Sequence, residues 1–260
     1  MLSVLVTGAS GQLGRSIQKL QGDYPDIGFH FKNSIDLDIS NENAVAEVFA
    51  NNKFDYCINC AAYTNVEMAE KEPQKAFLVN SHGAANIARE CEANGTILIH
   101  ISTDYVFDGE KGEPYTILDK TNPINVYGAS KLEGEVNVSA LMKRLFIVRT
   151  SWLYSEFGKN FYKTILAKAQ NGEPLSITNA QTGCPTHAEN LAKYILSLIT
   201  SGNTHYGLKH FTDGVEHTWY SFAIEILKKN SLFEKTEIQK VKNYRTFARR
   251  PVYSVLESER

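Results

Sequence analysis

Cysteine is scarce in this chain: Cys57, Cys60, Cys91 and Cys184 are the four in 260 residues. That is too few for a disulfide framework at this length, so a cytoplasmic protein is expected. The spacing Cys57-x-x-Cys60 is that of a redox pair or half a zinc site. It lies, however, inside an apolar, strand-like run, Tyr56-Cys57-Ile58-Asn59-Cys60. A redox pair wants a helix N-terminus to lower its thiol pKa, and a zinc site wants a second pair, which is missing. Both cysteines are therefore expected as small core residues. An excess of charge of one sign is missing too. The formal net charge is −2, which gives no electrostatic footprint for nucleic acid or an anionic membrane. No apolar run approaches the ~18 residues of a membrane span. The N-terminus enters a strand directly, without a basic leader. Internal repeats, low-complexity stretches and Gly/Ser-rich linkers are absent.

What is present is a regular alternation of strand and helix. Leu2 to Val6 is an apolar, β-branched run without alternation, as in a strand covered on both faces. It enters Thr7-Gly8-Ala9-Ser10-Gly11-Gln12-Leu13-Gly14 and then a helical pattern to about Leu20. Glycines at 8, 11 and 14 in a strand-to-helix turn let the backbone approach a pyrophosphate seated on the free N–H groups of the helix start. Gly8, Ser10, Gly11, Gln12 and Leu13 are thus candidate cofactor contacts. The second strand, Ile27 to Phe31, ends at Lys32-Asn33-Ser34. A cation with small polar groups suits a 2′-phosphate, so Lys32 favours NADP(H), while Asp36 keeps NAD(H) open. Further strands are expected at Phe54–Asn59, Thr96–Ile101 and Leu145–Val148. Helices are expected at Glu42–Asn51, Pro73–Ala93 and Tyr127–Leu141, with Ser40 or Asn41 capping the first. Asn80, on the apolar side of the long 73–93 helix, is a core amide or a support for the catalytic loop, and is also a candidate cofactor contact. Beyond Trp152 the alternation loosens. Residues 1–150 therefore form a dinucleotide-binding domain, and 151–260 mainly a smaller mixed α/β substrate domain with segments returning to the first. The fold class is α/β, a Rossmann-like doubly wound parallel sheet with that second domain.

One stretch carries the chemistry. Leu98-Ile99-His100-Ile101 ends in Ser102-Thr103-Asp104, and Tyr127 and Lys131 share a face at the start of the following helix. A nicotinamide carries hydride, and the protein must supply orientation and a proton. Tyr127 is assigned as general acid, Lys131 as the ammonium that lowers its pKa and binds the nicotinamide ribose, and Thr103 as the group orienting the carbonyl oxygen. With 13 tyrosines in the chain, one Tyr-x-x-x-Lys could arise by chance. The glycine turn and the Ser-Thr strand end give it weight.

These strings resemble the extended short-chain dehydrogenase/reductase family, and within it the dTDP-4-dehydrorhamnose reductase branch. The resemblance rests on Val6–Gly14, Asn59–Glu67, Ser102–Gly109, Asn122–Glu135, Arg149–Tyr154, Pro185-Thr186 and Arg249-Arg250-Pro251. It implies reduction of a nucleotide 4-keto sugar, dTDP-4-dehydro-L-rhamnose, with NADPH. It places Asp38 and Ile39 near the adenine, and Ala61, Ala62 and Tyr63 along the cofactor. Thr64, Val66, Asp104 and Trp152 line the sugar pocket, and Arg249 or Arg250 serves the diphosphate, as guanidinium chemistry also suggests. The chain is shorter than most members around the second strand and near the C-terminus. Some members bind Mg²⁺ at a dimer interface through acids near the start of the first helix. Arg15-Ser16 stands there instead, so no metal is expected; a homodimer stays open.

Two rivals share the resemblance. A sugar-nucleotide dehydratase would carry an Asp-Glu pair after the strand-end Thr, where this chain has Asp104-Tyr105; an epimerase or a reductase of another 4-keto sugar stays open. A non-catalytic regulatory subunit would lack part of the set Thr103, Tyr127 and Lys131, all of which are present. Neither the nucleotide base nor the sugar stereochemistry is written in these residues.

Overall fold

A computed structural model describes residues 1–242 and 246–258. The first half runs β1 (Leu2–Thr7), α1 (Gln12–Leu20), β2 (Ile27–Lys32), α2 (Glu42–Asn51), β3 (Tyr56–Asn59), α3 (Val66–Lys71), α4 (Pro73–Phe77), α5 (Ala84–Asn94), β4 (Ile97–Thr103), α6 (Val126–Leu141) and β5 (Leu145–Thr150). The second half continues with β6 (Leu153–Tyr154), α7 (Phe161–Gln170), β7 (Leu175–Thr178), β8 (Thr182–Gly183), β9 (Thr186–His187), α8 (Ala188–Thr200), β10 (Gly207–His210), β11 (His217–Thr218), α9 (Trp219–Lys229) and β12 (Ile238–Val241).

Six strands form one sheet in the order β10-β5-β4-β3-β1-β2, and every pairing is parallel. The order reverses at β1, whose neighbours are β2 and β3, and open α/β sheets bind ligands at such a switch point. Side chains of β1 alternate between two cores. Val4 and Val6 face α1 and α8, joining Ile17, Leu191 and Ile195. Leu5 faces α2, α5 and α6, joining Val45, Ile87 and Val138. Burial on both faces is why these strands read as unbroken apolar runs. Three short two-stranded ladders, β11-β8, β12-β7 and β6-β9, frame a separate apolar cluster between α7 and α9.

Two expectations change. The helix expected over 73–93 is broken by a π turn at Leu78–Gly83. That turn brings Asn80 close enough to hydrogen-bond Tyr63, and single π turns inside helices recur at functional sites. Strands read at Pro174 to Ile177 and just before Phe211 correspond to β7 and β10, whereas helix α3 and strands β6, β8, β9, β11 and β12 went unread. The helix cap left open between Ser40 and Asn41 is Asn41, whose side chain accepts from Ala44 N at 3.2 Å. Among the described residues, no helix is long and apolar enough to cross a membrane.

A buried ion pair joins α6 to the sheet. Arg149 on β5 donates from Nε and Nη2 to Glu135 on α6 at 2.9 and 2.6 Å, and Ser102 Oγ on β4 donates to the same carboxylate at 2.5 Å. Both charged side chains are at most 6% exposed. Glu135→Ala would strand the guanidinium, so we expect a loss of about 3–5 kcal/mol in chemical denaturation. The double variant Glu135→Leu/Arg149→Met, which buries no orphan charge, should lose much less. Equal losses would show that the pair is not the source.

Candidate active site

A cleft of about 780 Å³ opens along the C-terminal ends of β1, β3, β4 and β5. At one end stands the glycine turn. Gly8 has φ +62°, and a Cβ there would lie 2.6 Å from Ala61 N, so only glycine lets the two strand-end loops meet. A Cβ at Gly14 would lie 2.6 Å from Ala9 Cα. Helix α1 begins at Gly11 with no side-chain cap and no acid in its first turn. Its free N–H groups and positive dipole end therefore suit an anion, and a dinucleotide pyrophosphate fits this cradle. Gly8, Ser10, Gly11, Gln12, Leu13, Asp38, Ile39, Ala61, Ala62 and Tyr63 all line the cleft, as does Ser34, one of the small polar groups read beside Lys32.

Two proposed cofactor contacts sit elsewhere. Lys32 is at the end of β2 outside the lining, and its backbone carbonyl accepts from Ala9 N at 3.0 Å. Asn80 is buried behind the cleft. Its amide accepts from Tyr63 N at 2.8 Å, donates to Tyr63 O at 3.0 Å and donates to Ser130 Oγ at 2.9 Å. It shapes the 61–63 loop and ties it to α6, because both ends of its amide are spent on protein. Of the cysteines, Cys57 is in the core, but Cys60 lines the cleft; burial raises its thiol pKa, which leaves it unreactive.

Thr103, Tyr127 and Lys131 all line the cleft, with Thr103 hydrogen-bonded to Tyr127. Asn125 caps α6 by accepting from Gly128 N at 2.7 Å, which sets Tyr127 in the first turn. Lys131 is 2% exposed, and its Nζ donates to Ile101 O at 2.5 Å. Burial pulls its pKa down to about 8, with Glu135 opposing. Burial also pushes the Tyr127 phenol up to about 12, against a hydrogen bond from Thr103 that favours the ionised form. The expectation that Lys131 lowers the phenol pKa is thus not met in this structure: desolvation dominates, and the ammonium is spent on a backbone carbonyl. At neutral pH the phenol keeps its proton, the form a general acid needs.

At the other end lie Thr64, Val66, Asp104, Trp152 and Arg250. Arg250 Nη2 donates to Glu67 Oε1 at 2.9 Å, while Glu67 Oε2 accepts from Phe247 N and Ala248 N at 2.7 and 3.1 Å. Arg249 is exposed and outside the lining, and its carbonyl accepts from Asn125 Nδ2 at 2.9 Å; of the two arginines only Arg250 reaches the cleft. The sequence reading missed Tyr105, Tyr154, Phe161, Trp219 and Phe222, which complete the wall. Their signal was faint, since aromatic residues in a loosely patterned half read equally as core. It also missed Gln12 as a bridge: its side chain accepts from Ser155 Oγ at 3.0 Å and Asn160 Nδ2 at 2.9 Å, joining the glycine turn to the second half. Among the described residues, no group of three or more metal-ligating side chains is drawn together. Arg15 lies over the Phe157 ring at 4.3 Å.

Asp104 is 2% exposed, and burial pushes its pKa up to about 7 despite hydrogen bonds from Ser254 and Thr103. The native state therefore holds this proton more tightly than the unfolded chain. Its stabilising contribution is full below about pH 4 and is lost as pH rises through about 7. Asp104→Asn should gain stability relative to wild type steadily between those values and no further above them. Urea titrations at several pH values measure this; a pH-independent difference would refute the shift.

Comparisons with known proteins agree with this geometry. A family model described as RmlD substrate binding domain matches residues 2–260. A dTDP-4-dehydrorhamnose reductase of Aggregatibacter actinomycetemcomitans is 37% identical over 276 residues, covering 99% of this chain and 91% of that protein. The crystal structure of a dTDP-4-dehydrorhamnose reductase from Clostridium acetobutylicum superposes with a TM-score of 0.94 at 39% identity, covering 99% of this chain and 90% of that one. That of the enzyme from Bacillus anthracis, in complex with NADP, gives a TM-score of 0.94 at 37% identity, covering 100% and 92%. This chain belongs to the RmlD substrate binding domain family, with dTDP-4-dehydrorhamnose reductases among its near relatives.

Proposed function

We propose that this protein is an NADPH-dependent reductase that converts dTDP-4-dehydro-L-rhamnose to dTDP-L-rhamnose. The observation that carries it is that Thr103, Tyr127 and Lys131 line one cleft together with a glycine cradle and an aromatic wall. The names and near-full-length match of the relatives support the substrate, and NADP in the Bacillus anthracis structure supports the cofactor. Residues 1–150 hold the dinucleotide and 151–260 supply the sugar-nucleotide pocket, while α8 and β10 complete the first unit's core and sheet. The scarcity of cysteine supports a cytoplasmic setting.

Bound on the glycine turn and the 61–63 loop, NADPH supplies hydride. The residues of the chain do the rest. Thr103 holds the 4-keto oxygen beside the phenol. Tyr127 gives its Oη proton to that oxygen as charge develops there; an alkoxide is a much stronger base than a phenolate, so the raised phenol pKa does not obstruct the transfer. The Lys131 ammonium, held on Ile101 O, binds the nicotinamide ribose. Asp104 accepts a sugar hydroxyl, Arg250 meets the diphosphate, and Trp152 walls the sugar ring. The sequence Asp104-Tyr105 provides no acid–base pair for water elimination, so reduction is favoured over dehydration.

Purified protein mixed with NADPH and dTDP-4-dehydro-L-rhamnose should consume the reduced cofactor one-for-one with sugar. Tight NADPH binding without turnover on any nucleotide 4-keto sugar would make this a regulatory subunit instead. Tyr127→Phe should lower kcat by roughly 10²–10⁴-fold with little change in NADPH affinity. Comparable loss of both would refute the role of the phenol.

A further inference from the structure

The aromatic wall holds two costs in one place. Trp152 has φ +45°, a left-handed backbone that a bulky side chain rarely adopts. Its indole also lies face to face on Trp219, with ring centroids 3.5 Å apart and planes 1° from parallel. At that separation the rings are almost directly superposed, the stack that ring quadrupoles favour least. Mutual attraction therefore does not explain the arrangement; the frame around it does.

That frame is visible. Trp219 opens α9, whose cap Thr218 accepts from Ser221 N in a reciprocal box. Thr218 and His217 pair with Thr182 and Gly183, which fixes Trp219 beside the β8 strand. The Trp219 indole N–H donates to Gln181 Oε1 at 2.8 Å, and Phe161 leans on its ring at 4.5 Å. Trp152 is confined from the same strand. A Cβ on Gly183 would lie 2.6 Å from its Cε2 and Nε1 atoms, and the preceding Ser151 donates its hydroxyl to Cys184 O at 2.6 Å. Both indoles line the cleft.

We propose that Trp219 is a positioning and specificity-determining residue for the sugar nucleotide, holding the Trp152 indole in place as the flat wall against which the apolar face of the sugar ring packs. Without Trp219, the space of an indole opens beside Trp152, and its backbone can relax out of the left-handed region. The wall then recedes from the sugar, while the glycine turn, on other elements, is untouched. The proposal rests on the function proposed above.

These are the only two tryptophans in the chain, so an indole exciton couplet and selectively excited tryptophan fluorescence report on this pair. The wild-type protein should show an exciton couplet from the paired indoles. Trp219→Leu should abolish it and raise KM for dTDP-4-dehydro-L-rhamnose on the order of tenfold or more, with a smaller change in kcat and none in the NADPH dissociation constant. Trp219→Phe, which keeps a flat ring, should recover most of the KM. Gly183→Ala perturbs the same indole from its other support and should raise KM while leaving α9 unmutated. If Trp219→Leu removes the couplet and KM does not move, the role of Trp219 is overturned, and likewise if Gly183→Ala, folded by its NADPH binding, is kinetically wild type. A wild-type protein that turns over no nucleotide 4-keto sugar overturns the function itself, and this role with it.

Discussion

The buried contact among Glu135, Arg149 and Ser102 is the constraint on which the site depends. Arg149 and Ser102 are register partners on neighbouring strands, β5 and β4, and Glu135 reaches both from α6. Three elements are thereby fixed against one another at a point one residue below Thr103 and one helical turn below Lys131. Tyr127 lies a further turn up the same helix face, so the spacing from carboxylate to phenol is set by helix geometry. A purely apolar contact of similar size could stabilise the fold as well, since desolvation offsets much of an ion pair's attraction. What the charged contact adds is register: α6 cannot slide along the sheet without stranding a buried charge. Gly134, beside it, lets α6 approach the π turn, because a Cβ there would collide with Asn80 O.

From that fixed point the chemistry follows from burial. Tyr127 and Asp104 are pushed toward their protonated forms and Lys131 toward its neutral one. Each shift is what desolvation alone dictates. A cleft that disfavours charge in the resting protein also magnifies interactions with charge that develops during reaction. The proton sits on the phenol in the resting protein, and Thr103 hydrogen-bonds that same group. The second half of the chain contributes shape: Gln12 links the glycine turn to Ser155 and Asn160, and the aromatic wall closes the sugar end.

Much of this was legible in the residues themselves. Strands buried on both faces announced themselves as apolar runs, and the glycine turn, the Ser-Thr strand end and the Tyr-x-x-x-Lys spacing are local patterns that need no tertiary knowledge. What escaped depended on contacts distant in sequence. Lys32 reads as a phosphate ligand, and that it lies outside the cleft lining depends on how the end of β2 meets the glycine turn, its carbonyl accepting from Ala9 N. Asn80 reads as ambiguous because a π turn, invisible to periodicity, determines which groups its amide meets. Arg249 and Arg250 are indistinguishable in sequence; the Glu67 carboxylate, 183 positions away from Arg250, separates them. The pKa of Tyr127 could not be read either, because the lysine four residues on is seen in sequence, whereas the desolvation that dominates the shift is not. Trp219 was overlooked because a tryptophan at a helix start resembles any core aromatic until Trp152 is found lying on it.

The central claim is that this cleft reduces the sugar carbonyl directly, with hydride arriving on carbon and the Tyr127 proton on oxygen. Turnover with NADPH carrying deuterium in the transferred position at C4 of its nicotinamide, in ordinary water, tests it most directly. Direct reduction predicts one deuterium on C4 of the product sugar and none elsewhere. Deuterium at another sugar carbon, or a product without the label, would contradict it.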